Sequence, residues 1–325
     1  MFRLILFTFL SFLFGCDRDQ DLLLSNEKLI QSDTESNATE ANISSVDDVP
    51  SATGAEILSN ESNGPYSKDK PPGSPANLVN PINAIQRVLA KANPDYRGQG
   101  KLHEENGQII AAEFPNCGLK DLSPLRGLPL QALDLSGNPV KEIRHLRGMP
   151  LNRLFLEFTL VESLVDLRDA KLIELRLNGS PVRSLAGLEG QPLENLYAVR
   201  TQINNISALA NSNLRQLWLT ESPISDLSPL EGLPLVSLTA HRTLVQDLSF
   251  IRNLPVIQRL HIGETLITDL TPLRGLNLSR LVFTPNRIKV GMGIARSLSN
   301  LREVGTKFDD QGRDLMDPKV FWAKF

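Results

Sequence analysis

LRQLWLTESPISDLSPLEGLP, residues Leu214 to Pro234, carries leucine at positions 1, 4, 6, 14, 17 and 20 of a 21-residue frame, isoleucine at 11 and a small polar residue, Ser222, at 9. The same frame fits nearly everywhere from Ile109 to Asn300, lengthened by one or two residues near the C-terminus. Self-similarity at that period marks a repeat array, in which each unit buries its apolar face against its neighbours.

The coils are Ile109 to Pro129, Leu130 to Pro150, Leu151 to Lys171, Leu172 to Pro192, Leu193 to Asn213, Leu214 to Pro234, Leu235 to Val256, Ile257 to Asn277 and Leu278 to Asn300. Position 11 is in turn Leu119, Val140, Val161, Val182, Ile203, Ile224, Val245, Ile267 and Ile288. Positions 3 to 5 read as a short strand, with the residues at 4 and 6 pointing inward and those between them outward. The small polar residue at position 9 (Cys117, Asn138, Thr159, Ser180, Thr201, Ser222, Thr243, Thr265 and Asn286) is needed where a tight turn buries backbone groups that must find partners. On the far side, Ser123-Pro124-Leu125, Ser228-Pro229-Leu230 and Thr271-Pro272-Leu273 place a hydroxyl before proline, which suits the first turn of a short 3₁₀ helix. One coil buries about six aliphatic side chains at about 2 to 3 kcal/mol each. Backbone ordering opposes this with about 1 to 2 kcal/mol for each residue. No coil folds alone, and with strands about 4.8 Å apart nine of them make a block about 40 Å long.

The frame L-x-x-L-x-L-x-x-[NTSC]-x-[VIL] resembles the leucine-rich repeat in its short bacterial form, the form of the internalins, and Ile224 to Leu230 is especially similar to it. It is also similar to repeat regions attached to some membrane-bound bacterial Ser/Thr kinases, on Asn93-Pro94-Asp95-Tyr96, on Asp121 to Arg126 and on a final Phe-Trp-x-Lys. The kinase motifs themselves do not occur in this sequence. The resemblance implies a right-handed arc or horseshoe with a parallel sheet on its concave face, short 3₁₀ helices or loops on the convex face, and ligand recognition on the concave side.

Outside the repeats the chain reads in four further parts. Residues 1–15 are one early Arg and an apolar run too short to cross a bilayer, as in a signal peptide. The run ends in Leu13-Phe14-Gly15-Cys16, which resembles the bacterial lipobox. That likeness implies a diacylglycerol-modified Cys16 and a lipid-anchored protein of the bacterial cell envelope; the alternative is an ordinary signal peptide with an incidental cysteine. Residues 16–80 hold 12 acidic and 4 basic residues with almost no apolar periodicity, which predicts a disordered tether. Residues 81–108 form a cap, with Ile82, Ile85, Val88 and Leu89 on one side of a helix that stops near Asn93-Pro94. Residues 301–325 close the array, with Phe321 and Trp322 covering the last coil.

The overall formal charge is -3, and setting aside the tether's net -8 and Arg3 leaves the remainder at about +4, without the concentrated basic stripe of a nucleic-acid binder. His103-Glu104-Glu105-Asn106-Gly107 begins like a zinc-protease helix, but the second histidine position is Gly107. Cys117 sits in the polar column with no histidine at a meaningful spacing, and no nucleophile, phosphate-loop or metal-ligand set stands together. We expect no catalytic residues, no cofactor and no metal.

Position 5 of successive coils reads Asp134, Phe155, Arg176, Tyr197, Trp218, Thr239, His261 and Val282, with Glu157, Phe158, Arg200, Glu221, His241 and Arg242 beside it at positions 7 and 8. Exposed aromatics flanked by arginine are the composition of protein-binding hot spots. The expected partner surface is therefore Phe155, Arg176, Tyr197, Trp218, Arg200, His241, Arg242 and His261, taking a protein or peptide. The alternative is a passive envelope scaffold whose aromatics stack on glycan or peptidoglycan rings.

Overall fold

Alternating inward leucines build one continuous sheet of eleven strands in sequence order. The structure is a computed structural model that describes residues 81–307 and 314–325, all within one compact unit, Leu78–Phe325. The proposed signal segment, Cys16 and the tether lie outside the described residues.

The array opens with helix α1, Pro81–Ala92. Leu89 is buried, and Ile82 and Ile85 pack against the core, but Val88, expected on the same face, is largely exposed. At 100° per residue Val88 falls at the edge of the stripe that the other three define. Next come β1, Lys101–Glu105, and β2, Gln108–Glu113, paired antiparallel around Asn106 and Gly107, whose φ angles of 52° and 78° are both left-handed. Asn-Gly is the preferred pair for such a two-residue turn. His103, read above for its likeness to a metalloprotease motif, is a strand residue whose Nε2 lies 2.7 Å from Glu113 Oε1.

From β2 onward every strand pairs parallel to the next, through β3 (Ala132–Asp134), β4 (Arg153–Phe155), β5 (Glu174–Arg176), β6 (Asn195–Tyr197), β7 (Gln216–Trp218), β8 (Ser237–Thr239), β9 (Arg259–His261), β10 (Arg280–Val282) and β11 (Glu303–Gly305). Equivalent frame positions pair throughout, so each column of the sequence is one continuous row across the sheet. Leu217, Leu219, Ile224, Leu227 and Leu230 of the opening stretch are buried, and the corresponding residues of the other coils continue the same core.

Column 9 does what a buried turn demands. Thr159, Thr201, Thr243 and Thr265 each donate a hydroxyl hydrogen bond to the carbonyl three residues earlier, at 2.7 to 3.2 Å, and Ser180 does the same at 2.6 Å. Asn138 and Ser222 also cross to the preceding coil, reaching Phe114 O at 2.6 Å and Ala198 O at 2.8 Å. Cys117 occupies this column, and burial, with Asp134 nearby, pushes its thiol up to about 11. That leaves it without thiolate character at neutral pH. Asn286 departs from the column: the ninth coil turns through a 3₁₀ segment at Pro285–Arg287 and leaves Asn286 exposed.

Ser123–Leu125, Ser228–Leu230 and Thr271–Leu273 are 3₁₀ turns, but their hydroxyls are not the caps. Asp121, Asp226 and Asp269, two residues earlier, accept the backbone N–H of Ser123, Ser228 and Thr271 at 2.7 to 2.8 Å. A carboxylate two residues back closes an Asx turn and leaves the proline that follows undisturbed. The array ends with α2, Met292–Arg296, and α3, Pro318–Trp322, where Phe321 is buried with its ring centroid 5.9 Å from that of Phe283.

Candidate recognition surface

Strand register decides what stands beside what on the concave face. Phe155 pairs with Arg176, Arg176 with Tyr197, Tyr197 with Trp218, Trp218 with Thr239 and Thr239 with His261. The Arg176 guanidinium lies 4.5 Å from the Phe155 ring centre and 5.2 Å from that of Tyr197. Tyr197 meets Trp218 edge to face, with centroids 5.3 Å apart and planes at 70°. Four of the expected residues thus form one stack, a geometry that adds to area burial at each contact.

The stack is less open than its outward direction predicts. Tyr197 is 6 % and Trp218 8 % exposed, Phe155 and Arg176 are half-buried, and His241 is buried. Part of this burial is mutual, because large side chains one strand spacing apart on a concave sheet cover one another. Tyr197 is further held by its hydroxyl, 3.2 Å from Gln216 Oε1.

Acidic residues outside the expected partner surface surround Arg176. Its Nε donates to Glu174 Oε1 at 2.8 Å, and Glu157, buried one coil away, accepts a hydrogen bond from Asn178 Nδ2 at 2.6 Å. Burial works against the Arg176 charge, but Glu174 and Glu157 outweigh it and hold the guanidinium above its ordinary range. Burial, opposed by Arg176 and aided by Asp134, pushes the Glu157 carboxyl up to about 7. Asp134 is raised as well by burial, against hydrogen bonds from Ser136 and the charge of Arg176. Further along, burial holds the His241 imidazole below its usual value against the pull of Glu264, and burial together with Arg280 and Arg259 takes His261 down to about 3.

Arg200 and Arg242 do not join the stack. They stand at position 8, on the rim where each strand turns into the next segment, and make a ladder with two glutamates. Arg200 Nε meets Glu221 Oε2, Arg242 Nη1 meets Glu221 Oε1 and Arg242 Nε meets Glu264 Oε2, each at 2.8 Å. The backbone at this position is left-handed in coil after coil, with φ of 53° at Asn116, 53° at Phe158, 54° at Arg200, 58° at Glu221, 52° at Arg242 and 54° at Glu264. Gly137 and Gly179 take this place in the second and fourth coils, while the ninth coil departs with Pro285, and a Cβ on Gly179 would come within 2.5 Å of the Phe158 ring. The alternating signs of Arg200, Glu221, Arg242 and Glu264 are visible when column 8 is read alone, which is the signal that would have found the ladder.

The strand rows, the polar column and the far-side 3₁₀ turns together identify the architecture. The fold is the leucine-rich repeat solenoid. No protein-family model and no curated protein matches the chain. Among solved structures, an internalin (inlF) from Listeria monocytogenes is similar at 25% identity and a TM-score of 0.56, over 60% of this chain and 61% of the internalin. Internalin C2 from Listeria monocytogenes is similar at 24% identity and a TM-score of 0.54, over 65% of this chain and 96% of that one. The chain therefore spans about three fifths of the length of the first of these relatives.

Proposed function

We propose that the chain is a recognition module that binds a protein or peptide through Phe155, Arg176, Tyr197 and Trp218 on the concave face, with His261 extending the row and the buried His241 standing behind it. The observation that carries this reading is the stack itself: three aromatic rings and a guanidinium assembled in one row at positions where the repeat needs no large side chain. Aromatic and arginine anchors in packed, desolvated settings are where binding energy concentrates. The module is held in the bacterial cell envelope by a lipid on Cys16.

Crosslinking and pull-down from the native envelope test the partner surface. Phe155→Ala, at the more open end of the stack, removes one anchor and is expected to lower capture of a specific protein at least tenfold while the fold remains intact by circular dichroism. Unchanged capture overturns the concave-face reading. The anchor is tested separately: Cys16→Ser should move the protein from the membrane to the soluble fraction, and membrane retention of that variant would refute lipidation.

A further inference from the structure

The rim ladder has a property that the concave stack lacks: its charge order reads the same when reversed and inverted. Arg200, Glu221, Arg242 and Glu264 run plus, minus, plus, minus along adjacent coils. Laid against its own reverse, such a strip sets Arg200 opposite Glu264 and Glu221 opposite Arg242 at every rung. A two-fold axis produces that arrangement, because an isologous interface pairs residue i with j and j with i. A uniformly charged ligand, whether nucleic acid or acidic peptide, would find half of the rungs repulsive.

Two further features sit on the same rim. Leu244 and Leu266, two residues beyond Arg242 and Glu264, are 51 % and 45 % exposed and adjacent along the stack. Long side chains are also retained here in left-handed backbone, which costs about 1 to 2 kcal/mol per residue and which glycine would avoid. Gly137 and Gly179 show that the turn itself accepts glycine. Glu221 and Arg242 each bridge two partners within the chain, yet the side chains of the ladder stay 29 % to 52 % exposed, so their charges still face outward toward a second strip of opposite order.

We propose that this rim is a two-fold interface between two copies of the chain, with the Arg200 to Glu264 ladder pairing antiparallel with itself and Leu244 and Leu266 packing on the facing rim of the second copy. Four rungs span only about 14 Å along the stack. The contact is therefore smaller than a standard interface and gives a reversible dimer with a dissociation constant on the order of 10 µM.

Sedimentation equilibrium of the full chain, run from well below to well above that concentration, reads the association. The expected result is a monomer–dimer equilibrium that weakens as salt is raised. Arg200→Glu with Arg242→Glu makes the ladder wholly acidic and should weaken dimerisation at least tenfold. Glu221→Arg with Glu264→Arg makes it wholly basic and should do the same. Mixed together, the two variants should form a heterodimer at least as tight as the unaltered dimer. Arg200→Gly with Arg242→Gly suits the left-handed backbone, so it should remove the dimer without lowering the melting temperature. A monomer at all concentrations, a dimer indifferent to the charge reversals, or two reversed variants that fail to pair with each other would each overturn the proposal.

Discussion

Arg176 and Arg242 are the same residue type, each held by two glutamates, yet they belong to different physical regimes. The Arg176 side chain is 17 % exposed and lies between two aromatic rings, whereas that of Arg242 is 52 % exposed on the rim. At the rim, water screens the pairs, and the two that Arg242 makes contribute together at most about 1 kcal/mol. In the stack, the same charges are kept from solvent, so each depends on its partners being present. The concave site is thus bound to a particular set of residues, and the rim is free to vary in charge at little cost to folding.

The largest effect should come from removing the buried cation. Arg176→Met leaves Glu157 and Glu174 facing each other in a poorly hydrated site, which costs about 3 kcal/mol or more. That corresponds to a fall in melting temperature of roughly 6 to 12 °C at pH 8 for a domain of this size. Arg242→Met, measured alongside, should lose at most about 1 kcal/mol. Equal losses at the two sites would break the comparison.

Glu157 sharpens the contrast through pH. Its folded value of about 7 lies above the ordinary glutamate value of 4.5, so between those values the folded state holds more proton than the unfolded one. Its contribution is present below about pH 4.5 and is lost as pH rises through 7, by an amount on the order of 3 kcal/mol. Glu157→Gln should therefore stabilise the protein at pH 8, leave it little changed at pH 4, and flatten the stability profile between. His241 and His261 have lowered values and the opposite sign, so their contribution is lost as pH falls below about 6.5. A Glu157→Gln variant with an unaltered profile between pH 5 and 7 would show that the carboxyl is better hydrated than its position implies.

Ser222 comes next in size, and it also marks where sequence was a sufficient guide. Its hydroxyl lies 2.8 Å from Ala198 O and 2.9 Å from Thr201 Oγ1, and its oxygen accepts the Thr201 backbone N–H at 3.2 Å. Ser222→Ala strands those buried groups and should cost about 1 to 3 kcal/mol in denaturant unfolding. Column 9 was legible because a buried turn admits few side chains, and the inward leucines were legible because strand periodicity leaves no alternative. The Asn106-Gly107 hairpin is equally legible, because that pair is the preferred sequence of a two-residue turn between strands.

Two features were not legible, for physical reasons. The stack's register followed from the period, but its burial depends on how side chains of neighbouring coils cover one another, and Glu174 joins it only because Arg176 folds back two residues to reach it. The capping aspartates were hidden behind hydroxyls that suit a helix start equally well by type; only the geometry of the turn chooses between Asp226 and Ser228.

Left-handed backbone at column 8 is the least visible of all, since Arg, Glu and Phe do not advertise a positive φ. Arg242 gives the smallest predicted effect and the cleanest reading of it. Arg242→Ala loses the pairs with Glu221 and Glu264 and keeps a Cβ in left-handed backbone; Arg242→Gly loses the same pairs and relieves the backbone. The ion-pair loss cancels between the two variants, so their difference isolates the conformational cost. Glycine should be the more stable by about 1 kcal/mol, with the loss on going from arginine to glycine within about 0.5 kcal/mol of zero. If alanine and glycine unfold at the same denaturant concentration, the rim turn is not strained, and the retention of long side chains there needs no compensating role.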